Sequence, residues 1–198
     1  ELMLEGVEPR AVDRVATRFG MPMGPIRLYD VVGLDVAAYA GKTMVAAFPD
    51  RVLQSPLVED LVAAGRLGQK AGHGFYHYRN KKRRAESDAA LNPFIDKHKK
   101  GVRDLGAEEI QDRLMLPMLL EATRVLDEQI VENARDVDLG LILGIGFPPF
   151  RGGLLFWADT VGAGEILKKL ERYQGLGPRY EPTQRLVQLA ETGSKFYD

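Results

Sequence analysis

Apolar residues recur at helical spacing along most of the chain. Behind Pro9, the residues Val12, Val15, Ala16 and Phe19 lie three or four positions apart, as on one face of a helix. Proline is well tolerated in a first helical turn, where its missing N–H would have no partner. The pattern predicts a helix that begins at Pro9 and ends after Phe19.

A second segment carries helix signals at both ends. Ser55 and Pro56 form a cap and first-turn pair, Leu57 and Leu61 lie on one apolar stripe, and Gly65 ends the segment. The same reasoning predicts further helices over residues 36–48, 154–161, 166–173 and 183–190.

A longer apolar stripe starts near residue 107 and reaches Val125, with Pro117 inside it. Proline lacks a backbone donor and crowds the preceding turn, so we expect a kink there. No sustained alternation of apolar and polar residues predicts a sheet. Only the aromatic segments 74–76 and 195–197 look extended. The sequence therefore predicts an all-α protein.

The chain contains an internal repeat, whose landmarks return in the same order and at similar spacing. The matching ranges are 7–13 and 131–138, 19–25 and 145–153, 29–33 and 158–162, and 74–76 and 195–197. The stripe at 107–124 has no counterpart before the first copy. We expect two tandem similar helical domains, the first truncated at its N-terminus, in a piece cut from a longer protein.

Charge and composition narrow the possible functions. The 27 basic and 28 acidic residues nearly cancel, so no global field favours nucleic acid or an anionic membrane. The absence of cysteine excludes disulfides and thiol catalysis. No apolar run approaches the roughly 20 residues of a membrane span. We therefore expect neither a nucleic-acid partner nor a membrane-spanning segment.

A basic run covers residues 79–84, and Lys97, His98, Lys99 and Lys100 follow. Such a run could be a nuclear signal or a phosphate-binding patch. The balanced total charge favours a solvated linker instead. The predicted division is a first domain over 1–80, a basic linker over 81–105 and a second domain over 106–198.

The candidate chemistry in the chain is sparse. His73 and His77 have no acidic neighbour in sequence, which argues against a metal site and against a nucleophilic triad. The glycine-rich segment 65–74 follows a helix and lacks the spacing of a phosphate-binding loop. We interpret that segment as a tight turn with positive φ angles, which places the following aromatic residues on the helical core.

One short turn could contact an apolar ligand. It consists of Met21, Pro22, Met23, Gly24 and Pro25, and it is rigid and apolar. Methionine suits adaptable acyl-binding surfaces, so the turn could form one wall of an apolar pocket. It could equally be a simple joint between two helices.

Several of these motifs occur together in a known family. The segments 19–25, 30–35 and 65–76 resemble, in this order, the C-terminal domain of 3-hydroxyacyl-CoA dehydrogenases. Segment 144–153 resembles the second copy of that domain in the α-subunit of the fatty-acid oxidation complex and its multifunctional relatives. The resemblance covers essentially the whole chain.

The resemblance implies NAD-dependent oxidation of a 3-hydroxyacyl-CoA to a 3-oxoacyl-CoA in fatty-acid β-oxidation. It places NAD and the catalytic residues in an upstream dinucleotide-binding domain, so no catalytic or cofactor-binding residue is expected here. The turn Met21 to Pro25 is the expected substrate-binding wall, for an acyl-CoA. The parent is expected in the bacterial cytoplasm, with an enoyl-CoA hydratase domain and a thiolase partner subunit, and this piece alone is expected to be inactive.

Two other functions are compatible with a helical repeat. One is a non-catalytic module for protein interaction or dimerisation. The other is nucleic-acid binding through the basic run, which predicts strong salt dependence. An enzyme fragment should expose an apolar patch where its cofactor domain packs, whereas a finished module should not.

Overall fold

The computed structural model describes residues 1–53, 55–79 and 84–197. The chain forms two compact units. The first comprises Glu1–Arg18 and Met23–Ile110, and the second comprises Phe19–Pro22 and Gln111–Asp198. Most of the basic run, residues 80–83, lies outside the described residues.

Helices are the main regular elements in the described part of the first unit. They are α1 (Pro9–Phe19, whose last residue belongs to the second unit), α2 (Pro25–Val32), α3 (Leu34–Ala47), α4 (Pro56–Ala63) and α5 (Asn92–Lys97). Short 3₁₀ turns cover Leu2–Glu5, Gln69–Ala71 and Ala89–Leu91. The predicted helices that begin at Pro9 and Pro56 are confirmed.

A small antiparallel ladder completes the first unit. Strand β1 (His77–Arg79) pairs with β2 (Arg84–Glu86), with His77 opposite Glu86. The sequence predicted extended structure at 74–76, whereas the strand begins just after that segment. Its partner strand and α5 both lie in the region predicted to be a linker, which is part of the first compact unit up to Ile110.

The core of the first unit contains side chains from its helices and 3₁₀ turns, from the residues that follow its glycine-rich turn and from β1. Its buried members are Met3, Leu4, Leu34, Leu57, Leu61, Phe75, Tyr76, Tyr78 and Leu91. The aromatic residues after the glycine-rich turn therefore contribute to the helical core, as the sequence predicted.

The regular elements in the described part of the second unit are all helices. Its helices are α6 (Ala107–Asp127, whose first turn belongs to the first unit), α7 (Ala134–Ile145), α8 (Leu154–Val161), α9 (Ala163–Glu171) and α10 (Gln184–Thr192). Further 3₁₀ turns cover Pro149–Arg151, Gln174–Leu176 and Pro178–Tyr180. Helix α6 continues through Pro117.

Local caps explain where two of these helices start. The Asn133 side chain accepts a hydrogen bond from the Asp136 N–H, and Thr183 caps α10 in the same way. Ser55 precedes α4 as predicted, but its side chain makes no capping hydrogen bond. The proline that follows Ser55 therefore marks the start of α4 more directly than the serine does.

The core of the second unit is built around α6. Leu119 and Leu120 are fully buried, and Phe19 packs edge-on against Phe147 and Trp157, with centroids 5.8 and 5.5 Å apart. Arg151 donates to the Phe19 carbonyl at 2.7 Å. These contacts place the end of α1 within the second unit.

Within the described residues, no helix combines the length and the apolar content that a membrane crossing requires.

Candidate functional site

The predicted pocket wall, Met21 to Pro25, spans the point in the sequence where the second unit's segment ends and the first unit resumes. Met21 and Pro22 belong to the second unit, where Met21 packs against the core and Pro22 is exposed. Met23, Gly24 and Pro25 belong to the first unit, where Gly24 is buried and Pro25 opens α2. Contact of these residues with a substrate stays a prediction.

The start of α2 is fixed by a carboxylate from another helix. Gly24 occupies the N-cap position and has no side chain to cap with. Asp13 of α1 supplies the cap instead, because its Oδ1 accepts from Ile26 N–H at 2.8 Å and its Oδ2 from Arg27 N–H at 3.1 Å. The first N–H groups of a helix have no partner within the helix, so this contact satisfies two of them.

Gly24 is required by that contact. A Cβ at position 24 would lie 2.2 Å from Asp13 Oδ1 and 2.3 Å from Asp13 Cβ. Backbone and carboxylate are therefore packed directly against each other at the start of α2. Any movement of Asp13 must displace this part of the turn.

Tyr76 joins both ends of α2. Its hydroxyl donates to Asp13 Oδ2 at 2.7 Å, and its N–H donates to Asp30 Oδ2 at 2.9 Å. Asp30 lies near the C-terminus of α2, is completely buried, and also accepts from Phe75 N–H at 2.8 Å and from the Tyr78 hydroxyl at 2.9 Å. We call Asp13, Asp30, Tyr76 and their hydrogen bonds the first aspartate lock.

Burial governs the protonation of this lock. Burial raises the pKa of Asp13 and of Asp30 above the ordinary value of 3.8, and the hydrogen bonds from tyrosine and backbone oppose it. Burial, together with the neighbouring aspartates, also raises the pKa of Tyr76 and Tyr78 well above the usual range. Both tyrosines are thus protonated donors at neutral pH.

The glycine-rich turn wraps around Asp30. A Cβ at Gly68 would lie 2.4 Å from the Asp30 carbonyl oxygen, and one at Gly74 would lie 2.0 Å from Asp30 Oδ1. Gly65, Gly68 and Gly72 have positive φ angles of 74°, 91° and 80°. The interpretation of this segment as a tight positive-φ turn is confirmed.

A buried arginine near the start of the same turn binds its last residue. The Arg66 guanidinium donates to the Gly74 carbonyl at 2.9 and 2.6 Å and to Asp88 Oδ2 at 2.6 Å. A cavity of about 230 Å³ lies nearby, between the start of α1, Tyr76 and the segment that follows β2.

His73, one of the two histidines considered in the sequence for a metal site or a triad, contacts its own turn. His73 Nδ1 lies 3.0 Å from the Ala71 carbonyl oxygen, within the turn itself. Among residues 1–53, 55–79 and 84–197, no three His, Cys, Asp or Glu side chains are grouped so that they could hold a metal ion.

A second lock of the same kind lies in the second unit. Asp138 of α7 accepts from Leu155 N–H at 2.8 Å, from Phe156 N–H at 3.1 Å and from the Tyr197 hydroxyl at 2.7 Å. Asp159 accepts from Phe196 N–H at 2.9 Å and from Tyr197 N–H at 3.0 Å. The second aspartate lock, formed by Asp138, Asp159 and Tyr197, repeats the hydrogen bonds of the first except for the one that Asp30 accepts from Tyr78.

Sequence reasoning found these residues but gave them no role. Asp13 and Asp138 end the first pair of repeat landmarks, Asp30 and Asp159 lie in the third pair, and the tyrosines lie in the aromatic endings. The available signal was the return of an aspartate at each matched position. The repeat did not indicate which distant residues would donate hydrogen bonds to these aspartates.

The first unit also leaves apolar side chains open to solvent. Tyr39 is 77% exposed and Val32 is 50% exposed. The exposed apolar side chains of α2 and α3, which we call the α2–α3 face, are Leu28, Tyr29, Val31, Val32, Val36, Tyr39 and Met44. A water-facing surface rarely carries so many large apolar residues on two neighbouring helices.

Comparison with known proteins identifies the class of fold. Residues 1–78 match the family model of the 3-hydroxyacyl-CoA dehydrogenase C-terminal domain. A 3-hydroxybutyryl-CoA dehydrogenase from Escherichia coli, 23% identical, matches with a TM-score of 0.75 over 96% of this chain and 56% of its own. The dehydrogenase part of multifunctional enzyme 1 from C. elegans, 24% identical, matches with a TM-score of 0.72 over 94% of this chain and 43% of its own.

Sequence relatives narrow the class further. Fatty acid oxidation complex subunit alpha from Ectopseudomonas oleovorans and from Pseudomonas putida (strain GB-1) is 40% identical over the full length of this chain. The chain spans 28% of the length of both relatives. Residues 1–78 are thus similar to the 3-hydroxyacyl-CoA dehydrogenase C-terminal domain, and the whole chain is similar to fatty acid oxidation complex α-subunits.

Proposed function

We propose that this chain is the non-catalytic helical part of an NAD-dependent 3-hydroxyacyl-CoA dehydrogenase of fatty-acid β-oxidation. The observation that carries the proposal is the 40% identity, over the whole chain, to subunits that are named for fatty acid oxidation. In this role the chain supplies one wall of the acyl pocket and a packing surface for another domain.

The residues that the structure describes do not fit a nicotinamide dinucleotide. The dinucleotide fold needs a strand, a glycine-rich turn and a helix in a parallel sheet. In the part of the chain that the structure describes, the one sheet is the antiparallel pair of β1 and β2. The glycine-rich turn follows α4 and encloses Asp30. NAD would therefore be held by a dinucleotide-binding domain elsewhere in the natural protein.

The buried carboxylates also do not suit general-base catalysis. Asp13 and Asp30 each accept three hydrogen bonds, two of them from backbone N–H groups. A general base must reach the proton that it removes from the substrate, and these oxygens are occupied in holding α2. The catalytic base is accordingly proposed to lie in the domain that holds NAD.

The turn Met21 to Pro25 is the proposed acyl-CoA wall. Met21 and Met23 are half-buried, so part of each thioether side chain remains available for a ligand. Pro22 and Pro25 restrict the backbone of the turn, and Asp13 anchors its end at the start of α2. Such a wall shapes the space for an acyl chain without taking part in hydride transfer.

The α2–α3 face is the proposed packing surface for the dinucleotide-binding domain. Because the chain spans 28% of its relatives, most of a protein of their size lies outside these residues. Exposed Tyr39 and Val32 would be buried by such a domain. This supports the enzyme-fragment interpretation over a finished interaction module, which would not be expected to leave this face open.

The two aspartate locks support a tandem arrangement of similar domains. We propose that the predicted domains 1–80 and 106–198 are two copies of one unit, with residues 81–105 between them. We further propose that the parent contains an enoyl-CoA hydratase domain, associates with a thiolase subunit and acts in the bacterial cytoplasm, in line with the relatives being subunits of a complex.

The test is steady-state kinetics on the full natural protein that carries these residues. We expect reduction of NAD with a 3-hydroxyacyl-CoA. In Met23→Ala, KM for the acyl-CoA should rise several-fold while KM for NAD is unchanged, because loss of uniform substrate binding raises KM. A change in the KM for NAD instead would argue against the acyl wall.

A further inference from the structure

We infer that Tyr76 is a positioning residue for acyl recognition. Its hydroxyl, acting through Asp13, fixes the Met23–Pro25 part of the acyl wall. The inference rests on the proposed function and extends it by naming the side chain, outside the wall, on which the wall depends.

The path from Tyr76 to the wall is short. The Tyr76 hydroxyl contacts Asp13 Oδ2 at 2.7 Å, and Asp13 in turn binds the first turn of α2. Asp13 also packs against Gly24 with no space for a Cβ between them. One hydrogen bond therefore separates the tyrosine from the residue that holds the wall.

Asp13 depends on this hydroxyl for one of its oxygens. Oδ2 receives the short bond from Tyr76 and a longer one, 3.1 Å, from Arg27 N–H. Without the hydroxyl, Oδ2 keeps only the longer bond, in a place where burial disfavours the carboxylate. The carboxylate can then turn towards solvent, and Gly24 loses its fixed neighbour.

Tyr76 is itself held at a second point. Its backbone N–H donates to Asp30, near the other end of α2, and the residue is only 3% exposed. Packing in the core and the bond to Asp30 therefore fix the position of the Tyr76 hydroxyl. A positioning group needs such support from packing and from further hydrogen bonds.

The second unit provides a matched control. Tyr197 donates to Asp138 Oδ2 at the same 2.7 Å, and Asp138 caps α8 as Asp13 caps α2. The residues that precede α8 are not part of the proposed acyl wall. Tyr197→Phe therefore removes an equivalent hydrogen bond at a place where acyl binding should not respond.

The experiment compares Tyr76→Phe and Tyr197→Phe in the full natural protein, with 3-hydroxyacyl-CoA substrates of increasing chain length. Tyr76→Phe should raise KM for the acyl-CoA about three- to tenfold, the effect of one lost hydrogen bond, with kcat little changed. Tyr197→Phe should leave both constants unchanged. A loss of stability alone would not produce this division between KM and kcat.

A double-mutant cycle tests the path through Asp13. Asp13→Asn should raise KM in the same way, and the double variant should show less than the product of the two single effects, because both changes break one connection. If Tyr76→Phe does not fold, Asp13→Asn provides the test alone. It should raise KM for the acyl-CoA and leave kcat little changed.

With an active wild type, two results overturn this inference alone. One is an unchanged KM for the acyl-CoA in Tyr76→Phe and Asp13→Asn. The other is a KM change in Tyr197→Phe as large as that in Tyr76→Phe. A wild type that does not oxidise 3-hydroxyacyl-CoA overturns the proposed function as well, so the two failures can be told apart.

Discussion

Gly74 lies so close to Asp30 that a Cβ at position 74 would come within 2.0 Å of the Asp30 carboxylate. The glycine-rich turn can therefore enclose this buried aspartate only if the residue facing it has no side chain. Asp30 in turn binds the backbone of the two residues that follow Gly74.

Gly74→Ala should destabilise the protein by about 2–4 kcal/mol, because the new methyl must displace Asp30 or the turn. Gly41 in α3 is the matched control, since a Cβ there meets nothing within 4 Å. Gly41→Ala should stabilise by about 0.5–1 kcal/mol through helix propensity. Urea unfolding followed by circular dichroism measures both, and equal shifts would contradict the packing described.

Asp30→Asn should cost about 2–4 kcal/mol, because an amide has a single acceptor oxygen for the donors that Asp30 binds. The equivalent change, Asp159→Asn, should cost less, since Asp159 is half-buried and binds two backbone N–H groups. Thermal midpoints of the two variants provide the comparison. A larger effect at Asp159 would contradict the account of the two locks.

Asp88 should make stability depend on acid pH. Burial pushes its pKa up, but hydrogen bonds from Arg66 and the Ala90 N–H, with the Arg66 charge, hold the pKa below its ordinary 3.8. A carboxyl with a lowered folded-state pKa stabilises the fold above its unfolded pKa, and this stabilisation is lost as pH falls through the folded value.

The thermal midpoint of the wild type should therefore fall more steeply than that of Asp88→Asn as pH is lowered from about 5 to 2. The gap between the two proteins should be largest at the upper end of this range. Curves that run parallel through the acid range would show that the Arg66–Asp88 pair contributes no pH dependence.

Charged substitutions on the α2–α3 face should have little effect on the stability of this chain but should impair the activity of the full natural protein. Val32→Glu and Tyr39→Lys should change the stability of the chain by no more than about 0.5 kcal/mol, because both side chains are exposed. In the full natural protein they should lower dehydrogenase activity about tenfold or more, because a charge would be buried against the docked domain.

Lys42→Glu, at an exposed position of α3 that already carries a charge, is the control and should leave this activity unchanged. Full activity in Val32→Glu and Tyr39→Lys would mean that the α2–α3 face is not the packing surface.

The helices were predictable because their signals are local. Pro9 and Pro56 mark helix starts, and the apolar spacing behind them marks the buried faces. Strand β2 and helix α5 were missed, since three strand residues carry no alternation and the six residues of α5 lie in a charged region with no long stripe.

The aspartate locks were only half predictable. Matching the two copies brought Asp13 and Asp138 into correspondence, but the partners of Asp13 are 13, 14 and 63 residues away. Hydrogen bonds between residues so far apart in sequence depend on how the helices pack. The spacing of apolar residues does not predict that packing. The glycine-rich turn was interpreted correctly because positive φ is a local demand on the residue type.

The most direct test of the central claim measures NADH oxidation with acetoacetyl-CoA by this 198-residue chain and by the full natural protein under the same conditions. We predict turnover by the full protein and none by the chain, because the residues that the structure describes do not form the parallel sheet of a dinucleotide-binding fold. Turnover by the chain alone would contradict the account, since a cofactor site and a base would then have to lie within these two helical units.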